Sequence, residues 1–446
     1  MENPLPLTRF EMCHVDKIRM PPPGRLEKRH FNIPFAMQTK NVLTTVVSLY
    51  LTSALLTAGD WPQWRGPNRD DVSSEQGLLK QWPPGGPPLV WKATGAGAGQ
   101  GGVAVSGGKV FTSGDKGESS FALALDVASG GLVWTAKIGR TGGDPPGPRS
   151  TPTVDGDRVY VLGQFGDLVC LDVATGKEVW RRSLEKEFAG RCGGWKYSES
   201  PLVDGDRVVC TPGGAQGSIA AFNRRTGELL WQSKGFTDPA EYSSPIAVEI
   251  GGARQYIQLT GDHVVGVEAE SGKVLWSAPR KGSTATVPTP ICFEDYVYVS
   301  SGYDVGCNLF HIVKTGDSYN AEPVYANKVM VNHHGGVVRV GDYLYGYSDG
   351  KGWVCQEFKT GRQVWNNEGV GKGSLTCADG HLYLRSEGGK GAIALVEATP
   401  RGYAEKSRFD PPDRSKENSW PHPVVAGGRL YVRDQDVLLS YNVRMN

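Results

Sequence analysis

"LDVATGKEVW", residues 171–180, reads as the end of one strand, a Thr-Gly turn, and a second short strand closing on Trp180. Four segments repeat it: "LDVASGGLVW" ends at Trp134, "FNRRTGELLW" at Trp231, "VEAESGKVLW" at Trp276 and "QEFKTGRQVW" at Trp365. The tryptophans stand 46, 51, 45 and 89 residues apart, so the last gap holds a degenerate copy around "HIVKTGDSYNAEPVY". A period of about 45 residues is that of a β-propeller, whose blades are four-stranded sheets. A motif recurring in this way belongs to a scaffold. Trp134, Trp180, Trp231, Trp276 and Trp365 are therefore assigned as apolar plugs between blades.

One repeat fixes the template. "STPTVDG" is the inner strand, "DRVYVLG" the second, "LVCLDVA" the third and "KEVWRR" the outer one. Asp-Gly and Thr-Gly supply the turns. Inner strands are then expected near Gly101, Ser150, Ser200, Ser243, Thr289, Gly335, Ser374 and His422. The fold class is all-β, an eight-bladed β-propeller of four-stranded antiparallel blades. The last blade, "WPHPVVAGGRLYVRDQDVLLSYNVR", reaches the C-terminus without an outer strand. "PPLVWKATG", 87–95, carries Trp91 and is expected to complete that blade, closing the ring and removing its open edges. This divides the chain into a lead-in over 60–98 and a propeller over 99–446. "GAGQGG", 97–102, matches G-x-G-x-x-G but leads into strands, with no helix N-terminus to hold a phosphate, and reads as a loop.

Composition agrees: 60 glycines and 29 prolines suit short strands and tight turns. A net charge of +1 argues against a broad nucleic-acid-binding surface. "VLTTVVSLYLTSALLTA", 42–58, follows Lys40 as an uncharged apolar run ending in small residues, the layout of a secretory signal over 37–59, with a signal anchor as the alternative. The run is short for a membrane helix, so cleavage and export are expected, to the periplasm or beyond, with no membrane span retained. Residues 1–36 are rich in Pro, Arg and Lys; they read as a disordered segment or as sequence upstream of a true start at Met37. Seven cysteines follow Ala58 without a C-x-x-C or adjacent pair. They are read mainly as small core residues, with Cys292 and Cys307 as the candidate disulfide.

"DWPQWRGPNRD", "WKYSESPLVDGDRVVCTPGG", "HHGGVV", "KGSLTCADGHLYLRSEGG" and the last-blade segment resemble the secreted PQQ-binding-like β-propeller family. Its repeats are similar to those of quinoprotein alcohol dehydrogenases and of the propeller lipoprotein of outer-membrane barrel assembly. The resemblance covers about 60–446 and implies an exported propeller of the cell envelope. Quinone chemistry does not carry over residue by residue. The dehydrogenases' adjacent cysteines and the haem C-x-x-C-H segment of their polyvinyl-alcohol-oxidising relatives are missing from the sequence, and the dehydrogenases' calcium-binding Glu/Asn pair and Asp base find no matching context. No cofactor is assigned, and PQQ with calcium is kept only for the alternative reading below.

Chemistry is sought where the repeats differ. Inner-strand starts and second-strand ends face one end of the central channel, and unusual residues collect there. The starts bring Arg149, Trp195, Tyr197, Glu199, Tyr242, His333, His334, Trp420 and His422; the second-strand ends bring Tyr303, Arg385, Glu387, Arg433 and Asp434. Clustered titratable groups in a concavity define a candidate ligand site. As consecutive strand residues, His333 and His334 point to opposite faces and share no metal, and no metal site is assigned. No catalytic residue is assigned either. The function expected is a monomeric envelope scaffold binding a small molecule, a glycan or an envelope protein through its polar channel mouth. The alternative is an oxidoreductase acting on alcohols or sugars with PQQ or another cofactor; a third reading is a carbohydrate-active enzyme using Glu199 or Glu387.

Overall fold

The computed structural model describes residues 59–445; the readings of 1–36, and of 37–59 as a leader, lie outside them except for Gly59. The repeated motif builds its own turn. The Asp172 carboxylate accepts from the Thr175 hydroxyl at 2.7 Å and from the Thr175 and Ala174 amides. The Thr175 hydroxyl is the main cause holding this carboxyl below the usual range. Gly176 takes a left-handed φ of +71°. The register then shifts between Glu178 and Trp180, leaving Glu178 and Val179 exposed and Trp180 buried. From there the Trp180 indole N–H donates to Arg224 O of the next blade at 3.0 Å.

The same bond crosses four other seams. Trp91 donates to Val127 O at 2.9 Å, Trp134 to Val173 O at 3.1 Å, Trp231 to Ala269 O at 3.0 Å and Trp365 to Thr399 O at 2.9 Å. In the degenerate copy Tyr325 takes the place of tryptophan and donates to Phe358 O at 2.8 Å. Trp276 is the exception, donating to Gln255 of its own blade. The turn glycine of one blade lies under the tryptophan of the preceding one: a Cβ on Gly176 would come 2.6 Å from Trp134, and on Gly227 2.6 Å from Trp180. Tryptophan and glycine are thus two halves of one joint.

Eight blades follow in chain order, with inner strands Ala104–Ser106, Thr153–Asp155, Leu202–Asp204, Ile246–Ile250, Ile291–Phe293, Val337–Val340, Gly373–Ala378 and Val424–Ala426. These begin within a few residues of the expected positions. Each inner strand opens an antiparallel four-stranded sheet. Leu89–Ala93 is the outer strand of blade 8, paired antiparallel with Val437–Asn442, so the N-terminal strand closes the ring as expected. The third strand of blade 2, Asp167–Asp172, buries both faces: Val169 and Leu171 pack toward blade 1, Cys170 toward blade 3. The core is therefore a ring of inter-blade layers. Among the described residues no helix is long and apolar enough to cross a membrane. All seven described cysteines are free, which corrects the suggested Cys292–Cys307 pair. Cys307 lies on the third strand of blade 5 beside Asn327, whereas Cys292 is on the inner strand, opposite Val297.

The lead-in holds a feature the repeats do not announce. Residues 61–73 form a strap across the channel that bonds to seven blades. Trp61 pairs with Val105 of blade 1, and Pro62 O accepts from Val154 of blade 2. Arg69 donates to Ser200 O and Pro201 O at the start of blade 3, Trp64 to Thr289 before blade 5, and Arg65 to Val337 O of blade 6. Val72–Ser73 adds a parallel strand to the inner edge of blade 7, and Ser73 donates to Val425 O of blade 8. Arg65, Arg69 and Asp71 have φ of +62°, +57° and +59°, a conformation costing roughly 1 kcal/mol or more per non-glycine residue. The buried ion pair of Arg65 with Asp71 at 3.1 Å, and the bond of Asp71 to His422 at 2.9 Å, hold the strap in that shape.

Candidate functional site

Loops leading from one blade to the next inner strand converge at one end of the axis. With the strap as floor they enclose a cavity of about 280 Å³. Trp64 forms the floor, its indole N–H fixed on Thr289 Oγ1 at 2.9 Å and its ring 4.5 Å from that of His422. The walls are aromatic pairs: Trp195 with Tyr242 at 5.7 Å, Tyr303 with His333 at 4.7 Å, and His334 with Trp420 at 5.4 Å between ring centroids. Lys196, next to Trp195, and Tyr303 both have left-handed backbones, φ +67° and +53°. Bulky side chains take up this conformation rarely, and such strain is concentrated at functional sites.

Polar groups punctuate these walls. Arg149 is the one lining residue with a permanent charge, and its hydrogen bonds go to the carbonyls of Pro145, at 2.7 Å, and Gly147. Burial lowers its pKa, but a guanidinium stays charged at any physiological pH. Ser200 Oγ accepts from Thr151 N–H and Ser244 Oγ from Ser200 N–H, each at 2.9 Å. Both hydroxyl protons are left uncommitted. The Tyr242 hydroxyl likewise accepts, from Trp195 N–H at 3.3 Å. His334 Nε2 lies 2.7 Å from Glu387 Oε2, and His333 Nδ1 lies 3.1 Å from Lys372 Nζ, which also pairs with Asp349. Burial pushes both imidazoles toward the neutral form, His333 to about 4. Glu387 is held below the usual carboxylate range, burial working against ionisation but the bond to His334 and the Lys372 charge outweighing it.

Of the residues singled out in the sequence, Arg149, Trp195, Tyr242, Tyr303, His333, His334 and Trp420 line this cavity. His333 and His334 both face it, contrary to the alternation expected of a strand. Residues 332–336 form a bend, clamped by paired hydrogen bonds between Asn332 and Gly336, so period-two geometry does not apply. The others stand behind the wall. Tyr197 is buried between blades 2 and 3 and donates to Pro212 O; Glu199 is buried, accepting from Thr211 N–H and Gln258. Burial raises the Glu199 pKa to about 7, against the pull of the strap's Arg69. Arg385 donates to Pro421 O, Arg433 to Gly101 O and Thr112, and Asp434 pairs with Arg414. His422 is held under the floor by Asp71.

Period-two alternation explains part of this division: Ser198 and Ser200 face the cavity while Tyr197 and Glu199 turn into the wall. Arg385 and Arg433 lie on second strands, one strand further from the axis. Sequence reasoning missed Trp64, Gln100, Ser198, Ser200 and Ser244. The serines carried a signal in that alternation; Trp64 carried only its failure to repeat.

Fold and site together define an eight-bladed propeller of PQQ-like repeats with a floored aromatic cup. Residues 118–367, more than half of the chain, match the family described as outer membrane protein assembly factor BamB, and the chain belongs to that family. Outer membrane protein assembly factor BamB of Burkholderia pseudomallei is 22% identical over 292 residues, 56% of this chain and 71% of that protein. A quinohemoprotein alcohol dehydrogenase of Comamonas testosteroni is 31% identical over 142 residues, 28% of this chain but only 18% of the enzyme. Among solved structures, BamB of Moraxella catarrhalis superposes with a TM-score of 0.60 at 15% identity, covering 80% of this chain and 98% of that one. The Comamonas dehydrogenase structure also gives 0.60, at 12% identity over 89% of this chain and 82% of its own. At such identities the superpositions speak for the fold alone.

The quinone cofactor of the dehydrogenase relatives does not fit this donor set. Calcium takes oxygen ligands, carboxylates above all, and the cup wall contains neither Asp nor Glu. Among the described residues no three His, Cys, Asp or Glu side chains are gathered for a metal.

Proposed function

We propose that this chain is an exported scaffold of the cell envelope that binds a ligand or a partner segment in the cup at its channel mouth. The observation carrying this reading is the cup itself: a floored concavity with three part-exposed tryptophans and several uncommitted hydrogen-bonding groups. Pockets of this make-up, apolar with a few placed polar groups, are the usual form of binding sites. The envelope location rests on the apolar run before Ala58 and on relatives named for outer-membrane protein assembly.

Export is tested by N-terminal sequencing of the chain recovered from an envelope fraction, which should begin near Gly59. For binding, the immobilised chain is exposed to envelope extract and retained molecules are identified by mass spectrometry. The parent should retain a specific molecule that Trp195→Ala and Trp420→Ala both lose while keeping the parent's melting temperature. Equal retention by parent and variants removes the cup from the function. Light scattering should give a monomer. The oxidoreductase alternative predicts dye-linked alcohol or sugar oxidation after reconstitution with PQQ and Ca²⁺; a chain that gains no chromophore and no activity disposes of it.

A further inference from the structure

The hydrogen-bonding inventory of the cup is lopsided. Its single permanent charge, Arg149, has only carbonyl partners in the wall, and no carboxylate lines the cavity. The hydroxyl protons of Ser200, Ser244 and Tyr242 are uncommitted, because each of these oxygens only accepts from a backbone amide. His334 Nε2 lies 2.7 Å from Glu387 Oε2, so a proton on that nitrogen leaves Nδ1 as an acceptor. A ligand answering these groups carries one negative charge, several acceptor oxygens and at least one hydroxyl donor. Trp64, Trp195 and Trp420 supply flat, partly exposed apolar faces. Such faces accept a ring that is apolar on its faces and polar around its edge.

We propose that the cup binds an acidic saccharide, with a uronate ring against the indoles and its carboxylate on Arg149. A plain aromatic acid would satisfy Arg149 and the indoles but leave Ser200, Ser244, Tyr242 and His334 without partners, which costs binding energy in a desolvated site. A neutral sugar would leave the guanidinium unpaired. The inference rests on the cup being the binding site, as proposed above, and adds the ligand's class.

The test is titration calorimetry of the exported chain with tri-galacturonate, tri-glucuronate, neutral galactotriose and naphthoate, at low and high salt. A uronate should bind best and weaken as salt screens the charge. Arg149→Gln, with an unchanged melting temperature, should lower uronate affinity by about tenfold or more, the scale of one charge-assisted hydrogen bond. It should also bring the uronate level with galactotriose. Ser244→Ala should weaken both sugars and leave naphthoate unaffected. The inference is overturned if neither uronate binds, if galactotriose or naphthoate binds the parent as well as the uronates do, or if Arg149→Gln retains parental affinity. Where uronates fail but an envelope ligand is still lost on Trp195→Ala, the cup stays a binding site and only its ligand class is wrong.

Discussion

Gly176 and Trp134 show what the repeated motif is for. The glycine has a left-handed φ and no room for a Cβ, because the indole of the preceding blade occupies that space. Gly176→Ala therefore combines backbone strain with overpacking and should destabilise the fold by about 1–3 kcal/mol. Urea denaturation checks this through the transition midpoint. Trp134→Ala in the same background removes the clash, so the two changes should cost less together than the sum of each alone. Strict additivity would mean that the glycine serves its turn only. Glu199 makes a different case. Its folded pKa is raised to about 7, chiefly by burial. Between the ordinary glutamate value and about 7 the folded state holds a proton that the unfolded state has released. Stability linked to this group is thus complete at the acid end and lost as pH rises through that window, on the order of 3 kcal/mol. His333 has the opposite sign: its pKa is depressed to about 4, so its contribution is lost as pH falls below the ordinary histidine value. The two windows overlap, and the total need not show either one. The difference between parent and Glu199→Gln isolates the first: the variant should gain on the parent from pH 5 to pH 7.5. A gap independent of pH would show that Glu199 keeps an unshifted pKa.

At the scale of elements, the closing strand and the strap divide the work of the lead-in. Leu89–Ala93 gives blade 8 its outer strand, and Trp91 sends its N–H to Val127 of blade 1, as the plugs Trp134, Trp180, Trp231 and Trp365 do at their seams. If the closing seam is equivalent to the rest, Trp91→Ala and Trp180→Ala should each cost about 3–5 kcal/mol, the range for deleting a large buried aromatic. Thermal or denaturant unfolding of both variants decides it. A much smaller penalty for Trp91→Ala would mark the N-terminal strand as an appendage. This strand was legible because it carries the same tryptophan as the repeats and the last blade lacked one. The strap was not. "WPQWRGPNRDD" has no alternation, and three of its residues have left-handed backbones that only their tertiary contacts sustain. Local sequence rules favour glycine at such positions, so arginine and aspartate there look like ordinary polar loop residues. The cup was legible by location, since propeller topology brings inner-strand starts together, but not by depth. Whether a side chain reaches the lumen depends on pleat and bend: Ser200 faces in, Glu199 faces away, and the clamp of Asn332 on Gly336 turns both histidines inward.

For the whole molecule, these elements bear on cooperativity. Blades that touch only their neighbours approach a one-dimensional array, whose stability is a sum of blade and seam terms and which can unravel from its ends. Two features oppose that here. The closing strand removes the ends, and the strap ties blades 1, 2, 3, 5, 6, 7 and 8 to one segment through the axis. Arg69 and Arg65 make two of these seven ties, to blades 3 and 6, with buried guanidinium bonds, and removing one partner of a buried pair costs more than the pair contributes. A chain beginning at residue 87 keeps the closing strand and all eight blades but lacks the strap. It should still form a β-rich ring, yet unfold over a broader range, with fluorescence and circular dichroism transitions that no longer coincide. The chain with the strap should show one transition by both probes. If the shortened chain unfolds as sharply as the parent, ring closure alone makes the blades cooperative, and the strap's role reduces to flooring the cup. In that event Trp64→Ala should alter ligand binding while leaving the breadth of the transition unchanged.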